Sequence, residues 1–281
     1  MTKTIAYLGP QGTYTETATI GYQTWLEQQT TEDYQLVPYA NILKTLQAVV
    51  DREAKLAVVP VENSIQGSVA ITLDLLWELE GLQIQQALIL PISHTLVSHN
   101  PDLDKLKTVY SHPQALGQCQ RWLDKHLPQV ELIPTNSTTE ALGHLRKETT
   151  AGAIASQRAA RLYNIPILGM NINDYPDNCT RFWVVGLEKQ QSRGSHISLA
   201  FSVPANIPGS LVNPLSSLAS RKINMSRIES RPTKRTLGEY LFHIDLEGCL
   251  TDSNVQSALD ELQENTGVLK IFGNYSVLSL N

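Results

Sequence analysis

The chain has 281 residues, of which 42% are hydrophobic and 17% are charged, and its net charge is −5. This composition excludes a disordered protein, and no apolar run approaches the roughly 20 residues that a membrane helix needs. The negative charge, without a basic cluster, argues against nucleic acid as a partner. Three widely spaced cysteines argue against a disulfide framework and a thiolate zinc site. The N-terminus enters a strand pattern without a signal-peptide segment, so we expect a cytoplasmic protein with no membrane partner.

Strand and helix patterns alternate up to about residue 187. Five short apolar stretches predict strands at 4–8, 56–61, 108–111, 130–134 and 151–156. Helical patterns follow these stretches, which predicts an α/β fold with largely parallel sheets. The apolar segment 85–99 and a return near 170–178 predict two crossovers between two lobes. A cleft between lobes is a common place for a small ligand, so we expect a two-lobed domain at 1–187.

The pattern changes after a polar linker at 188–195. One strand is followed by a helix, two strands, a second helix and a last strand, with the helices predicted from apolar residues that share one face. The order βαββαβ is that of a ferredoxin-like domain. We expect this domain at 195–281, separate from the first, and we expect its deletion to leave the activity of the rest of the chain intact.

Four polar clusters follow strands of the first region, and ligands bind beyond the carboxyl ends of strands in open α/β sheets. The candidate residues are Thr13, Glu62, Asn63, Ser64, Ser111, His112, Gln114, Asn178, Thr180, Arg181 and Phe182. They bring mainly hydroxyls, amides and helix N-termini, which suit a carboxylate or phosphate and can orient an alcohol. Each cluster also has a structural interpretation, such as a turn with an N-cap at Thr13 or a rim charge at Arg181.

Several cofactor signatures are missing from the sequence. We find no Walker loop, no glycine-rich dinucleotide fingerprint and no metal-ligand pair at helical spacing. We therefore expect a site that uses no nucleotide, redox cofactor or metal. An elimination or isomerisation of a small organic acid fits such a site.

The ordered motifs GPQGTYTE (9–16), VPVENSIQGSV (59–69), SHPQALGQC (111–119) and NCTRFWVV (178–185) resemble those of prephenate dehydratases. GSLV (209–212) and IESRP (228–232) resemble the phenylalanine-binding motifs of the ACT regulatory domain in that family. The resemblance implies a periplasmic-binding-protein-like catalytic domain of two lobes plus a ferredoxin-like ACT domain. It suggests the monofunctional form, because no chorismate mutase segment precedes Met1.

The resemblance implies conversion of prephenate to phenylpyruvate, water and carbon dioxide, without a cofactor. Thr180 would donate a proton or hydrogen bond to the departing hydroxyl. Glu62 is the alternative acid, because burial in a closed cleft would favour its protonated form. Asn63, Ser64 and Gln114 would orient the substrate, and Thr13 with its loop amides would hold a carboxylate.

Other roles stay open in the sequence. Side chains alternate along a strand, so Arg181 points away from the cleft if Thr180 faces it, unless a bulge intervenes. Arg181 is then either a structural ion pair or a carboxylate contact. Phe182 should share the face of Thr180, and His112 is either a contact or a cap. We expect His94, His99 and Cys119 to serve packing or to lie on the surface.

The resemblance also implies feedback inhibition by phenylalanine in a dimer or a tetramer. The effector residues would be Gly209, Ser210, Leu211, Val212, Glu229, Ser230, Arg231 and Pro232. Three other functions remain as alternatives: an arogenate dehydratase, a two-lobed small-molecule binding or sensor protein, and a regulatory ACT protein without catalysis.

Overall fold

The computed structural model describes residues 3–189, 194–204 and 207–280. Residues 190–193 of the predicted linker lie outside this range. Among the described helices, none is both long and apolar enough to cross a membrane.

Strands and helices are each numbered in chain order. The strands are β1 (Lys3–Leu8), β2 (Tyr34–Tyr39), β3 (Leu56–Asn63), β4 (Gly67–Ser68), β5 (Gln83–Pro91), β6 (His94–Val97), β7 (Thr108–Ser111), β8 (Glu131–Pro134), β9 (Ala151–Ser156), β10 (Ile167–Gly169), β11 (Cys179–Gly186), β12 (His196–Ser202), β13 (Met225–Pro232), β14 (Tyr240–Glu247) and β15 (Val268–Ser279). The helices are α1 (Tyr14–Gln29), α2 (Ile42–Val50), α3 (Ala70–Glu78), α4 (Pro113–Gly117), α5 (Gln120–His126), α6 (Thr138–His144), α7 (Gln157–Leu162), α8 (Val212–Ser220) and α9 (Ser253–Glu264).

The first lobe is a sheet in the order β5–β11–β3–β1–β2, with β4 paired to β3. Successive side chains of a strand point to opposite sides of the sheet, and the central strands carry consecutive apolar residues, so both faces of the sheet are apolar. One face packs on α1 through Tyr22 and Phe182. The other packs on α2 and α3 through Leu46, Leu76 and Trp183.

The second lobe is a sheet in the order β10–β6–β9–β7–β8. The segment 85–99 contains most of β5 and all of β6, so the chain crosses between lobes after Pro91. It returns between β10 and β11, which confirms the two predicted crossovers and the two-lobed α/β fold. The sheets are more mixed than we expected. Because β11 re-enters the first lobe from the second, it runs antiparallel to both β3 and β5.

The C-terminal unit has the predicted order β12–α8–β13–β14–α9–β15. Its strands form an antiparallel sheet in the order β13–β14–β12–β15. Helices α8 and α9 cover one face, where Leu218, Ala258 and Leu262 pack against Phe201 and Ile244. The ferredoxin-like order of elements is therefore confirmed.

Strand β15 joins this unit to the first lobe. Residues 268–275 pair with β12, and Ser276 to Ser279 pair in parallel with β5, which produces a ten-stranded sheet. Gly273 lies at the change of partner, where an added Cβ would be 2.6 Å from the Ile84 carbonyl oxygen. A side chain at residue 273 would therefore push the two strands apart. The C-terminal unit is thus continuous with the first lobe.

Candidate active site

A cavity of about 720 Å³ lies between the two lobes. Its polar lining comes from four segments that follow strands: Thr13, Tyr14 and Thr15; Asn63, Gln66 and Ser68; His112, Gln114 and Gln118; Asn136, Ser137, Thr138 and Glu140. His94 and Thr180 complete this lining, and Phe182 contributes an apolar wall. The volume and the mixture of groups suit a small polar organic ligand.

The centre of the cavity wall is a cross-strand pair, Asn63 of β3 opposite Thr180 of β11. The Asn63 amide nitrogen Nδ2 donates to Thr180 Oγ1 over 3.0 Å. Asn63 Oδ1 in turn accepts the backbone N–H groups of Ile65 and Gln66, at 3.1 and 3.2 Å. Since Thr180 accepts in its bond to Asn63, its own hydroxyl proton is available to a ligand in the cavity.

Two further side-chain amides, those of Asn178 and Gln118, form a hydrogen-bonded network with Asn63. Its Nδ2 also donates to Asn178 Oδ1 over 2.8 Å, and Asn178 Nδ2 donates to Gln118 Oε1 over 2.9 Å. Asn178 is only 1% exposed, so it holds the wall of the cavity without facing a ligand. The network extends to His94, whose Nε2 lies 2.9 Å from Gln118 Oε1. These buried amides are satisfied by one another, which fixes their orientation.

His94 is a buried member of this network. Burial lowers the pKa of His94, so the ring is neutral near pH 7. Gln118 Oε1 can only accept, which places the ring proton on Nε2. The other ring nitrogen, Nδ1, lies 2.9 Å from the Tyr14 hydroxyl. His94 therefore lines the cavity with defined partners, and its role goes beyond the packing that we expected.

The second lobe contributes two capped helix starts. His112 Nδ1 accepts the Gln114 N–H over 3.2 Å at the start of α4, and burial lowers the pKa of this imidazole. Ser137 Oγ accepts the Glu140 N–H over 3.0 Å at the start of α6. Both caps are side chains that face the cavity, so His112 has the capping role and also lines the site.

The GPQGTYTE loop brings the lobes together at the cavity. Thr13 caps α1 by accepting the Glu16 N–H over 3.3 Å, and its own hydroxyl donates to the Pro10 carbonyl over 2.9 Å. The Gly12 carbonyl accepts from Ser156 of the second lobe over 2.8 Å. Gly12 has φ +87, and an added Cβ would be 3.1 Å from Ala159 Cβ, so this close approach favours glycine.

Besides Asn178, four other predicted site residues do not line this cavity, namely Glu62, Ser64, Ser111 and Arg181. Glu62 and Arg181 form an ion pair with 3.1 Å between Oε2 and Nη2 on the opposite side of the sheet. Glu62, which we had named as the alternative acid, therefore does not line the cavity. Ser111 is buried and donates to the Ile154 carbonyl over 2.6 Å. Ser64 Oγ accepts the Cys179 N–H over 3.0 Å, which ties β3 to β11.

The structure also places the predicted effector residues. Gly209, Ser210 and Leu211 precede α8, which begins at Val212. On β13, Glu229 accepts a hydrogen bond from Ser68 over 3.1 Å, and Arg231 forms two hydrogen bonds with Asp74, at 2.9 and 3.1 Å. Glu229 and Arg231 thus contact the first lobe within the same chain. Ser230 and Pro232 alternate with them along the strand and are exposed.

The structure adds cavity residues that we had not selected, chiefly Gln118, Tyr14 and the segment 136–140. Gln118 was within reach of sequence reasoning, because it follows Gln114 by four residues and lies in the same motif. Cys119 packs in the apolar core of the second lobe, as expected. Within the described residues, no group of three or more His, Cys, Asp or Glu side chains is arranged to hold a metal ion.

Comparison with known proteins agrees with these motifs. The sequence model of the family described as prephenate dehydratase matches residues 5–190. A prephenate dehydratase of Methanocaldococcus jannaschii is 37% identical over 280 residues, covering 99% of both chains. The solved structure of prephenate dehydratase from Arthrobacter aurescens in complex with L-Phe superposes with a TM-score of 0.85, at 33% identity, over 97% of this chain and 90% of that one.

Another solved neighbour carries a different name. GqqA, described as a novel type of quorum quenching acylase, has a TM-score of 0.81 and 27% identity, and 97% of each chain is covered. Overall architecture alone therefore does not decide the chemistry. The family match and the full-length relatives do decide the family: the chain belongs to the prephenate dehydratases.

Proposed function

We propose that the cavity binds prephenate and converts it to phenylpyruvate. In this reaction the bond to the ring carboxylate breaks, carbon dioxide leaves, and the electron pair enters the ring. The ring hydroxyl leaves with its bonding pair and takes up one proton to become water. Aromatisation provides the driving force, so the protein mainly has to orient the dianion and help the hydroxyl leave.

The observation that carries the proposal is the Asn63–Thr180 pair on the cavity wall. With Asn63 Nδ2 bound to Thr180 Oγ1, the threonine hydroxyl is oriented to donate into the cavity. A free threonine hydroxyl is a very weak acid, so Thr180 serves as a positioned hydrogen-bond donor and relay to the departing oxygen. Its proton is restored from solvent.

The remaining lining suits the rest of prephenate. The dianion has two carboxylates, and the cavity offers an amide donor at Gln114 and a hydroxyl donor at Thr138. Phe182 and Ile92 provide an apolar wall for the ring. A site built mainly from neutral donors holds the carboxylates while allowing one of them to leave as uncharged carbon dioxide.

The test is to incubate the purified protein with prephenate and, separately, with arogenate. We expect phenylpyruvate from prephenate at a rate proportional to protein concentration. Phenylalanine formed from arogenate at a higher kcat/KM would assign the alternative substrate. Failure to consume either compound would contradict the proposed function, whatever the fold.

The C-terminal unit is proposed to be an ACT domain that binds phenylalanine and pairs with a second copy. L-Phe is present in the solved Arthrobacter aurescens relative. Here Gly209 has φ +82 just before α8, a backbone state that favours glycine and leaves room for close approach of a ligand. Val212 is 60% exposed and Ile228 is 42% exposed, so apolar surface lies near both effector motifs.

Sedimentation velocity with and without phenylalanine tests this part. We expect at least a dimer, with inhibition that corresponds to a coupling of about 1–3 kcal/mol. Val212→Glu should weaken association and inhibition together, whereas the control Leu162→Glu, at an exposed leucine of the second lobe, should change neither. If the protein is a monomer and phenylalanine still inhibits it fully, the effector does not bind at an interface between two C-terminal units.

A further inference from the structure

Two consecutive cross-strand pairs separate the cavity from the C-terminal unit. Thr180 opposes Asn63, and Arg181 opposes Glu62. The first pair is joined by a 3.0 Å hydrogen bond on the cavity side. The second is joined by a 3.1 Å ion pair on the other side, where Arg181 is 24% exposed. The register of β11 on β3 shifts directly after Arg181, so these two pairs end a regular stretch of pairing.

Arg181 also reaches into the C-terminal unit. Its Nη1 lies 2.9 Å from Asp245 Oδ2 of β14. The Asp245 carboxylate is fully buried and also binds Arg227 Nε over 2.8 Å. Glu62, Arg181, Arg227 and Asp245 form a cluster of two cations and two anions, which we call the charged cluster. Since a buried carboxylate is costly without partners, Asp245 holds the two arginines in a defined geometry.

The neighbouring hairpin is tied to the same unit. Ser68 of β4 pairs with Glu62 and also lines the cavity. Its hydroxyl donates to Glu229 Oε2 over 3.1 Å, and Arg227 Nη1 lies 3.4 Å away. Glu62 is therefore held between Arg181 on one side and Ser68 on the other, and both contact the C-terminal sheet.

We propose that Arg181 is a positioning residue: through Glu62 and Asp245 it fixes the β3–β11 pairing that orients Asn63 and Thr180. The C-terminal sheet is thereby part of the scaffold of the active site. Arg181 has no role in binding substrate in this account, because it lies on the face of the sheet opposite the cavity. The proposal rests on the function proposed above.

Kinetics on prephenate for the full chain test this inference, with turnover by the parent protein measured first. A parent without turnover would refute the proposed function and not this inference. Arg181→Met should lower kcat by about 10- to 100-fold, the size expected when a reacting group is misplaced by a fraction of an ångström, with KM changed by less than about threefold. Arg181→Lys should recover part of kcat, because one ammonium can reach only one of the two carboxylates.

Asp245→Asn separates positioning from substrate contact. Asp245 does not line the cavity, yet its variant should reproduce the loss of kcat. The double variant with Arg181→Met should be no worse than the poorer single variant. Arg221→Met is the matched control, since Arg221 forms a 2.6 Å ion pair with Glu261 within the C-terminal unit. It should keep kcat within about twofold. Circular dichroism and thermal unfolding establish that each variant is folded at the assay temperature.

Three results would overturn the proposal. The first is a folded Arg181→Met with parental kcat. The second is a loss that appears in KM alone, which would indicate a substrate contact. The third is independent, multiplicative losses in the double variant.

Discussion

The Asn63 side chain forms hydrogen bonds with at least four partners at once. Its Nδ2 donates to Thr180 and Asn178, and its Oδ1 accepts two backbone N–H groups. An amide has two donors on one side and an acceptor on the other, so no other side chain of this size satisfies the same set. Asn63 therefore links the orientation of the Thr180 hydroxyl to the geometry of the hairpin that follows β3.

We expect Asn63→Ala to lower kcat/KM by about 1–3 kcal/mol, the cost of leaving buried hydrogen-bonding partners unsatisfied. Asn63→Asp should also fail, because a carboxylate cannot donate to Thr180. The control is Asn100→Ala, since Asn100 caps a turn in the second lobe and bonds to Thr149. If Asn63→Ala keeps the parental kcat/KM, the pair is not part of the site.

Sequence reasoning found Thr13, Asn63, His112, Gln114, Thr180 and Phe182, all of which line the cavity. It failed for Glu62, which is adjacent to Asn63 but points to the opposite side of the sheet. The phase of that alternation depends on which face meets the second lobe, and this is set by tertiary contacts. His94 was missed because a lone histidine in an apolar segment carries no sign of its partners Gln118 and Tyr14.

At the scale of elements, α1 of the first lobe and α7 of the second are linked by an ion pair. The Glu16 carboxylate accepts from Arg158 Nε over 2.8 Å and from the Gly12 N–H over 2.7 Å. Burial alone would raise the pKa of Glu16, but these hydrogen bonds and the charge of Arg158 lower it below its ordinary value. The contact holds the lobes together beside the cavity.

This shift predicts a pH dependence of stability. A carboxyl whose pKa is lowered by folding stabilises the native state above its unfolded value of about 4.3, and this contribution is lost as the pH falls through the native value. Urea unfolding of Glu16→Gln should show a loss of about 1–3 kcal/mol at neutral pH that shrinks below about pH 4. Glu27→Gln, at an exposed position on the same helix, should have little effect at either pH. A deficit for Glu16→Gln that is equally large in acid would contradict this account.

Most elements of the first region were predictable from apolar runs, because buried strands such as β3 and β9 are almost entirely hydrophobic. We did not assign β2 and α2. In β2 the residues are mostly half-buried or exposed and include Pro38, which suits its place at the edge of the sheet. The antiparallel direction of β11 could not be predicted from the sequence either, because it depends on the path of the chain through the second lobe.

At the scale of the whole molecule, the C-terminal unit supports the catalytic lobes. Ser276 to Ser279 extend the first-lobe sheet beside β5, and Asp245 partners Arg181. We had expected activity to survive deletion of residues 195–281. The local pattern predicted the βαββαβ order, but it could not show that the last strand continues into another sheet.

We therefore expect a chain that ends at residue 189 to lose stability and turnover. Removal of β15 exposes the edge of β5, and Arg181 loses Asp245, a change worth roughly 1–3 kcal/mol for a partly exposed charged hydrogen bond. Thermal unfolding and kcat of the truncated chain check this expectation. The charge-conserving control is the full chain with Arg221→Lys. A truncated protein with parental stability and turnover would show that the two parts are independent.

The most direct measurement is kcat on prephenate for Thr180→Val, because valine keeps the shape of threonine and removes only the hydroxyl. We expect kcat to fall by about 10²- to 10⁴-fold, the usual contribution of a positioned proton-transfer group. Thr180→Ser, which keeps the hydroxyl, should retain much more activity. Turnover by a folded Thr180→Val within about threefold of the parent would remove Thr180 from the mechanism and contradict the central claim.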